Sequence, residues 1–326
     1  MKHVTILGFD YAYASTITGM SDLLGSVGVT WNYIHGSALN RQFDVHIATA
    51  SGNAVRCANG MTIDAHHAFT DIEHTDLVII PTIAGDIQQT LELNRSLLPW
   101  LIRMHEHGAD IVSNCTGAFL LAESGLLNGK KATTHWGFVK QFRERYPQVD
   151  LQAEQMITSD GSIFCSGGGM AWFDMALYLI ERYCGYDIAR ASAKSYVIDM
   201  GRGSQAAYSG LPGKRYHQDT RILALQDWLD VHFTETISIQ DLANQANLTE
   251  RTFKRRFKAA TGDSPIHYLQ HLRIEAAKKR LEVTQESVEQ ITHQVGYENV
   301  ASFIRLFKRY TSMTPSAYRA RFARHD

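Results

Sequence analysis

Residues 109–127 read ADIVSNCTGAFLLAESGLL. The apolar pair Ile111-Val112 runs into Ser113-Asn114-Cys115-Thr116-Gly117, and an amphipathic helical spacing follows. This is the pattern of a strand that turns sharply into a helix, with a cysteine at the corner. A thiol held at such a corner can attack a carbonyl if a neighbouring base takes its proton. The positive end of the following helix is expected to lower its pKa. Whether Cys115 performs that chemistry or only keeps the turn is the first question the sequence raises.

The surroundings of this stretch repeat its logic. Segments 3–9, 43–49, 76–82, 109–115 and 162–167 are short apolar runs with strand character. Helical spacings lie between them at 16–27, 88–107, 117–124, 136–146 and 170–184. Near-continuous apolar strands separated by helices imply an α/β domain, its mostly parallel sheet covered by helices on both faces. Ligand sites in such sheets lie at the carboxyl ends of strands, and Cys115 falls at one of them.

The strand runs stop near residue 200. Segment 204–219, within GRGSQAAYSGLPGKRYHQD, is rich in Gly, Ser and basic residues and is expected to be a linker. It separates a domain at 1–203 from a wholly helical one at 220–326. Residues 221–326 carry 16 Lys+Arg against 12 Asp+Glu, whereas the preceding 220 residues carry 16 against 21. A basic tail on an acidic body points to a polyanionic partner.

The tail also repeats itself. A shift of 50 residues pairs Phe253 with Phe303, Arg255 with Arg305, Phe257 with Phe307 and Lys258 with Lys308. It pairs Thr261 with Thr311, Pro265 with Pro315 and Tyr268 with Tyr318 as well. In each copy two phenylalanines four apart bury one helix face, and Arg and Lys occupy the other. Leu242 and Ala246 precede a turn at Asn247-Leu248, and Thr249 can cap the next helix. In the second copy Ile291 and Val295 precede Gly296. The pattern is helix-turn-helix twice, each second helix suited to a DNA major groove. A connecting helix over 266–282, about 25 Å long, could hold the two reading helices about one DNA turn apart. The alternative, a helical oligomerisation domain with solvated charges, does not account for the joint recurrence of aromatic and basic positions.

Composition excludes other classes. No apolar run approaches the roughly 18 residues of a membrane span. The N-terminal MKHVTILGFD reads as a first strand, not a signal peptide. Cys57, Cys115, Cys165 and Cys184 form neither a CxxC pair nor a disulfide framework, so a reduced, cytoplasmic protein is expected, away from any membrane. His105 and His107 lie two apart on a helix and point to different faces, so no metal pair is expected there. His66-His67 reads as a surface or turn pair. Gly167-Gly168-Gly169 reads as a tight turn with close backbone packing rather than a phosphate loop. No metal or cofactor is expected.

Residues 220–322, ending in GYENVASFIRLFKRYTSMTPSAYR, resemble the DNA-binding domain of the AraC/XylS family of bacterial transcription regulators. That resemblance implies base-facing positions at Arg251, Lys254 and Arg255 in the first reading helix. In the second it implies Val300, Ala301, Ile304 and Arg305. Lys258, Lys308 and Arg309 complete the basic faces. Arg and Lys suit guanine edges, whereas Val300, Ala301 and Ile304 can meet only thymine methyls or sugar. The second helix is therefore expected to contribute mainly shape and phosphate contacts.

Residues 1–200 resemble the class I glutamine amidotransferase-like fold in its PfpI-type branch, a flavodoxin-like sheet. SNCTGAFLLAESGLLNGKKATTHW and SGGGMAWFDMALYLIERYCG carry the resemblance. The fused pair is an established regulator architecture, called GlxA-like. In the branch, a histidine follows the elbow, as His135 does here, and an acid near the first strand supports the cysteine. Ser15 stands about where that acid is expected, and Asp10 comes several residues early. A triad without its orienting acid is impaired. The domain is therefore expected to be catalytically inactive, with Ser15, Cys115, Thr116 and His135 lining a ligand pocket. Beside promoter DNA and a small-molecule effector, the resemblance implies a homodimer and, for an activator, contact with RNA polymerase. Family members often govern the catabolism of amino acids or quaternary amines, which makes a small nitrogenous metabolite the implied effector class. The rival class is a cysteine-dependent hydrolase or hydratase carrying a DNA-binding tail.

Overall fold

A computed structural model of the chain describes residues 1–209 and 217–323. It divides into two compact units, Met1–Gln205 and Ala206–Asp326.

The first unit holds strands β1 (Lys2–Leu7), β2 (Phe43–Thr49), β3 (Val55–Arg56), β4 (Thr62–Ile63), β5 (His67–Ala68) and β6 (Leu77–Ile80). They are followed by β7 (Asp110–Asn114), β8 (Lys131–Ala132), β9 (Asp150–Leu151), β10 (Ile157–Asp160) and β11 (Ile163–Ser166). Its helices are α1 (Ala14–Gly25), α2 (Thr30–Ile34), α3 (Ile87–Leu93), α4 (Leu98–Glu106), α5 (Gly117–Glu123), α6 (Val139–Arg145), α7 (Ala171–Cys184) and α8 (Tyr186–Ser195). Seven strands form one sheet in the order β10-β11-β7-β6-β1-β2-β5. All neighbours pair in parallel except the edge strand β10, which runs against β11. Val4 on β1 sits in register with both Val45 and Leu77, so the central strands are flanked by strands on both edges. Helices bury the sheet's faces, and β6, with Leu77 to Ile80 all buried, therefore has no polar side chain. All five expected strands are present. The short strands and β10 were not legible, because two to four residues carry too little periodicity.

The expected helix 88–107 is two helices instead. α3 stops at Leu93, a 3-10 turn spans Arg95–Leu97, and α4 starts afresh with Pro99 in its first turn. Proline lacks an N–H and its ring clashes with the carbonyl four residues back, so it begins a helix but cannot continue one.

The second unit is helical: α9 (Thr220–His232), α10 (Ile239–Gln245), α11 (Glu250–Thr261), α12 (Pro265–Val283), α13 (Val288–Gln294), α14 (Val300–Thr311) and α15 (Pro315–Phe322). The 50-residue repeat of the sequence is a repeat of hydrogen bonds. Thr249 and Asn299 accept from the amides of Thr252 and Ser302, capping α11 and α14. Ser264 and Thr314 cap α12 and α15 from the equivalent positions. Both reading helices end on a left-handed residue, Gly262 and Ser312. Phe253, Phe257 and Tyr268 pack edge to face with ring centroids 5.5 and 5.4 Å apart; Phe303 is tilted on Phe307 at 5.7 Å, and Phe307 meets Tyr318 edge to face at 5.5 Å. One residue breaks the register. Ser238 and Ser287, which form capping boxes on α10 and α13, are 49 apart, because the second turn is one residue longer.

Two cores result. Ile222, Leu225, Leu229, Leu242, Phe253, Phe257 and Leu269 close the first; Ile274, Leu281, Ile291, Val295, Phe303 and Phe307 close the second. Helix α12 serves both, Leu269 from its first half and Ile274, Ala277 and Leu281 from its second.

The expected linker 204–219 includes residues that belong to both units. Ser204 and Gln205 bond within the first unit, and Ala206–Tyr208 form a 3-10 turn in the second. Residues 210–216 lie outside the described residues. Asp219 is the cap of α9, accepting from Ile222 N–H, and it also takes two hydrogen bonds from Arg256 of α11 at 2.9 and 2.7 Å.

These bonds hold the Asp219 carboxyl below the usual aspartate range, with the Arg256 bond the larger cause. A depressed carboxyl stabilises the fold above its unfolded pKa, and that contribution is lost as pH falls through the folded one. Asp219→Ala is therefore expected to destabilise the second unit by about 1–2 kcal/mol near neutral pH. The difference from wild type should shrink as pH falls through the lowered Asp219 pKa, beneath the ordinary value of 3.8, where the folded carboxyl finally takes up its proton and both proteins carry an uncharged residue at the cap. Urea titrations of the two proteins at several pH values measure it.

Candidate functional site

The carboxyl ends of β1, β6, β7 and β11 converge on one cavity of about 280 Å³. Tyr13, Ser15 and Thr16 reach it from the start of α1, Thr82 to Gly85 from the loop after β6, and Cys115 and Thr116 from the elbow after β7. His135, Phe138, Gly169 and Met170 complete the wall. The four residues expected to line a pocket, Ser15, Cys115, Thr116 and His135, therefore come together. The loop after β6, Phe138 and Met170 were not anticipated. The rule that ligands sit beyond the carboxyl ends of parallel strands would have pointed to Thr82, two residues past β6.

Cys115 is a left-handed corner with φ +55°, an unfavourable conformation for a side-chain-bearing residue. The neighbouring bonds hold it there. Its N–H donates to Ser166 O at 3.0 Å, and its carbonyl accepts from Thr134 Oγ1 at 2.8 Å. Thr116 Oγ1 donates to Ile83 O at 2.6 Å, tying the elbow to the loop after β6. The strained turn is thus kept whether or not the thiol reacts.

The expected fall in the Cys115 pKa is corrected by its burial. The residue is only 5% exposed, and desolvation pushes the thiol above its ordinary value. The amides of Gly169 and Thr116 and the hydroxyls of Thr116 and Thr82 oppose that shift without overcoming it. The adjacent helix, α5, has only seven residues, so its end supplies a weaker partial charge than a long helix.

Nor does an acid complete a triad. Asp10 accepts from the backbone N–H of Arg56 at 2.9 Å, and no carboxylate lines the cavity. His135 accepts from Gly137 N–H at Nδ1, 3.0 Å, and burial holds its imidazole below the usual histidine range, hence neutral near pH 7. The ring lies flat against Gly168, where a Cβ would sit 2.0 Å from its Cδ2. Behind this loop is Gln205, a buried residue that sequence reasoning missed. Its Oε1 accepts from Gly168 N–H at 3.0 Å, and its Nε2 donates to Thr134 O and Ala153 O at 2.8 and 2.9 Å. Gly167-Gly168-Gly169 is the close-packed turn expected of it.

Neither Tyr13 nor Met170, which precede α1 and α7, caps its helix with a side chain, so two helix N-termini border a wall without acids; Asp174, in the first turn of α7, is paired with Arg202 outside that wall. Tyr13, Phe138 and Met170 are each more than a third exposed and form an apolar rim.

The remaining candidates stay apart. His66 is not an isolated turn residue: Nδ1 accepts from Ile47 N–H, and its ring and that of His67 flank His46. No group of three or more His, Cys, Asp or Glu side chains among the described residues is placed to hold a metal. No helix among them is long and apolar enough to cross a membrane.

In the second unit, Arg251, Lys254, Arg255 and Lys258 are all exposed on α11, opposite buried Phe253 and Phe257. Lys254 pairs with Glu250 at 2.8 Å, an exposed i,i+4 contact that a phosphate can displace at little cost. Arg256, the remaining basic residue of the helix, is turned away to Asp219. On α14, Ala301, Arg305, Lys308 and Arg309 are exposed, Val300 is half-buried, and Ile304 packs partly on the second core. Arg305 donates to Ser302 Oγ at 3.0 Å, which adds an exposed hydroxyl to a face otherwise poor in hydrogen-bonding groups.

Comparison with known proteins follows this division. A helix-turn-helix domain matches residues 242–321, and the DJ-1/PfpI family matches residues 27–182. The HTH-type transcriptional regulator CdhR of Pseudomonas aeruginosa is 28% identical over 276 residues, covering 84% of this chain and 81% of its own. The HTH-type transcriptional regulator GbdR of the same species is 25% identical over 288 residues, covering 87% and 76%. A solved ThiJ/PfpI family protein from Pseudomonas syringae shares the fold with a TM-score of 0.52 at 17% identity, covering 76% of this chain and 91% of its own.

With burial controlling the thiol, Cys115 is expected to alkylate more slowly than the half-exposed Cys184 at pH 7.5. Peptide mapping after timed iodoacetamide treatment measures this. Cys115 as the first cysteine labelled would contradict the desolvated site.

Proposed function

We propose that this chain, an AraC-type transcriptional regulator joining a DJ-1/PfpI-family domain to a helix-turn-helix DNA-binding domain, senses a small metabolite with the first and binds promoter DNA with the second. The observation that carries the reading is the duplicated α11 and α14, each with its phenylalanines buried and its arginines and lysines exposed. The sensing domain is proposed as residues 1–203 and the DNA-binding domain as 220–326, joined through 204–219. A cytoplasmic homodimer formed through the first domain, contacting RNA polymerase when it activates, completes the proposal.

The cavity around Cys115 is the proposed effector site, and the domain is proposed to be without catalytic turnover. Its buried thiol, neutral His135 and lack of a carboxylate favour binding over nucleophilic attack. At about 280 Å³ it suits a small molecule. A nitrogenous metabolite bearing a carboxylate fits the bordering helix N-termini and the apolar rim. Its binding would shift the populations of domain or dimer arrangements and so change DNA engagement.

Arg255 and Arg305 separate the two helices' roles. Arg255→Ala is expected to cost about 1–3 kcal/mol on the specific site and to relax preference at one or two base pairs. Arg305→Ala should weaken all duplexes alike and flatten the salt dependence by about one unit. Titrations of both variants on specific and scrambled duplexes between about 50 and 200 mM salt decide it. Loss of specific binding alone in Arg305→Ala would contradict the backbone-tracking role of α14.

The effector site is tested by a thermal-shift screen of small nitrogenous carboxylates against the full chain, since a ligand bound only by the folded state raises the midpoint. The hit should shift wild type, and Cys115→Ser should leave DNA binding within a few fold. Turnover of any amide, ester or nitrile that vanishes in Cys115→Ala would favour the hydrolase reading instead.

A further inference from the structure

The second unit contains a contact that neither its cores nor its reading faces require. Arg273, midway along α12, donates from Nε to Phe233 O and from Nη2 to Glu235 O, both at 2.7 Å. Those carbonyls belong to the segment that ends α9, which is anchored in the first core through Ile222, Leu225 and Leu229. The same guanidinium lies over the ring of Tyr297, 5.0 Å from its centroid. Tyr297 belongs to the turn between α13 and α14 and packs on the second core. One side chain therefore holds the exit of α9 in one module and the turn of the other.

The backbones meet at the same place. Gly296, with φ +84°, begins that turn, and a Cβ there would lie 2.5 Å from Thr234 O. The turn thus rests directly on the Phe233–Glu235 segment. The first module's turn uses Asn247 at φ +53° for the same bend. A second contact ties α14 back to the first half of α12, through Tyr310 Oη and the carbonyl of His267 at 3.3 Å.

We propose that Arg273 is a positioning residue for DNA binding: it locks the second helix-turn-helix to the first so that α11 and α14 present themselves to DNA at one fixed separation. This rests on the DNA-binding reading above. Helix α12 alone joins the modules by a single rod, about which the second could swing by bending or twisting. The Arg273 fork adds a lateral fixture near its middle, and its planar geometry satisfies two carbonyls at once. A lysine is a single point charge and cannot reproduce that fork.

The test is hydroxyl-radical footprinting of the full chain on a duplex that it selects from a random-sequence pool. Failure to select any duplex would count against the DNA-binding reading, not against the lock. Wild type should protect two sharp patches for each bound chain, about one helical turn apart. Arg273→Ala should keep the patch made by α11 at moderately higher protein concentration. The second patch should fade or spread over several base pairs, because its module no longer holds one position. Arg273→Lys should fall between the two, and it is read in the same way if Arg273→Ala does not melt cooperatively. Two patches as sharp and as evenly occupied as in wild type, in either folded variant, would overturn the proposal. So would equal weakening of both patches, which marks a general role in stability.

Discussion

The second unit depends on one constraint: neither helix-turn-helix can close a core without α12. Each module offers only three short helices, and a set that small buries too little apolar surface to hold alone. Helix α12 supplies a wall to both, Leu269 to the first and Ile274, Ala277 and Leu281 to the second. A helix that must be apolar on different faces along its length cannot show a single amphipathic stripe. Its nineteen residues, about 28 Å at the standard rise, then fix how far apart the reading helices stand. Core packing and DNA geometry are set by the same side chains.

In the first unit, two opposing effects act on one thiol. Helix ends and backbone amides favour a thiolate at Cys115, and burial disfavours it; burial wins. The fold keeps the strained elbow because the backbone bond of Cys115 to Ser166, the Thr134 hydroxyl on its carbonyl and the Thr116 hydroxyl on Ile83 organise the cavity wall irrespective of reactivity. The wall of that cavity holds no carboxylate and is bordered by helix starts without side-chain caps.

Much of this was legible from sequence where a pattern repeats or where an apolar run is long. The 50-residue identities pointed to two modules; the matched caps and left-handed ends fall at the same offset but on different residue types, so identity alone did not mark them. The five main strands were legible because both faces of each are buried. Cys115 and Thr116 could be placed from the strand-to-helix corner, whereas Ser15 and His135 joined them only through the resemblance to the PfpI-type branch. What escaped was non-local. The break at Asn94 in 88–107 turns on a single proline. The pKa of Cys115 depends on burial, which one strand and one helix cannot reveal. Gln205 and Arg273 make their bonds to carbonyls far away in sequence, and nothing in their immediate neighbours marks them.

The central claim is that one chain touches two successive major-groove segments. Phosphate-ethylation interference with the full chain on its selected duplex tests it most directly, because it reads which phosphates the bound protein needs. The account expects interfering phosphates in two clusters for each bound chain, about 10 base pairs apart on one face of the duplex. A single cluster per chain, or interference spread evenly around the helix, would contradict it.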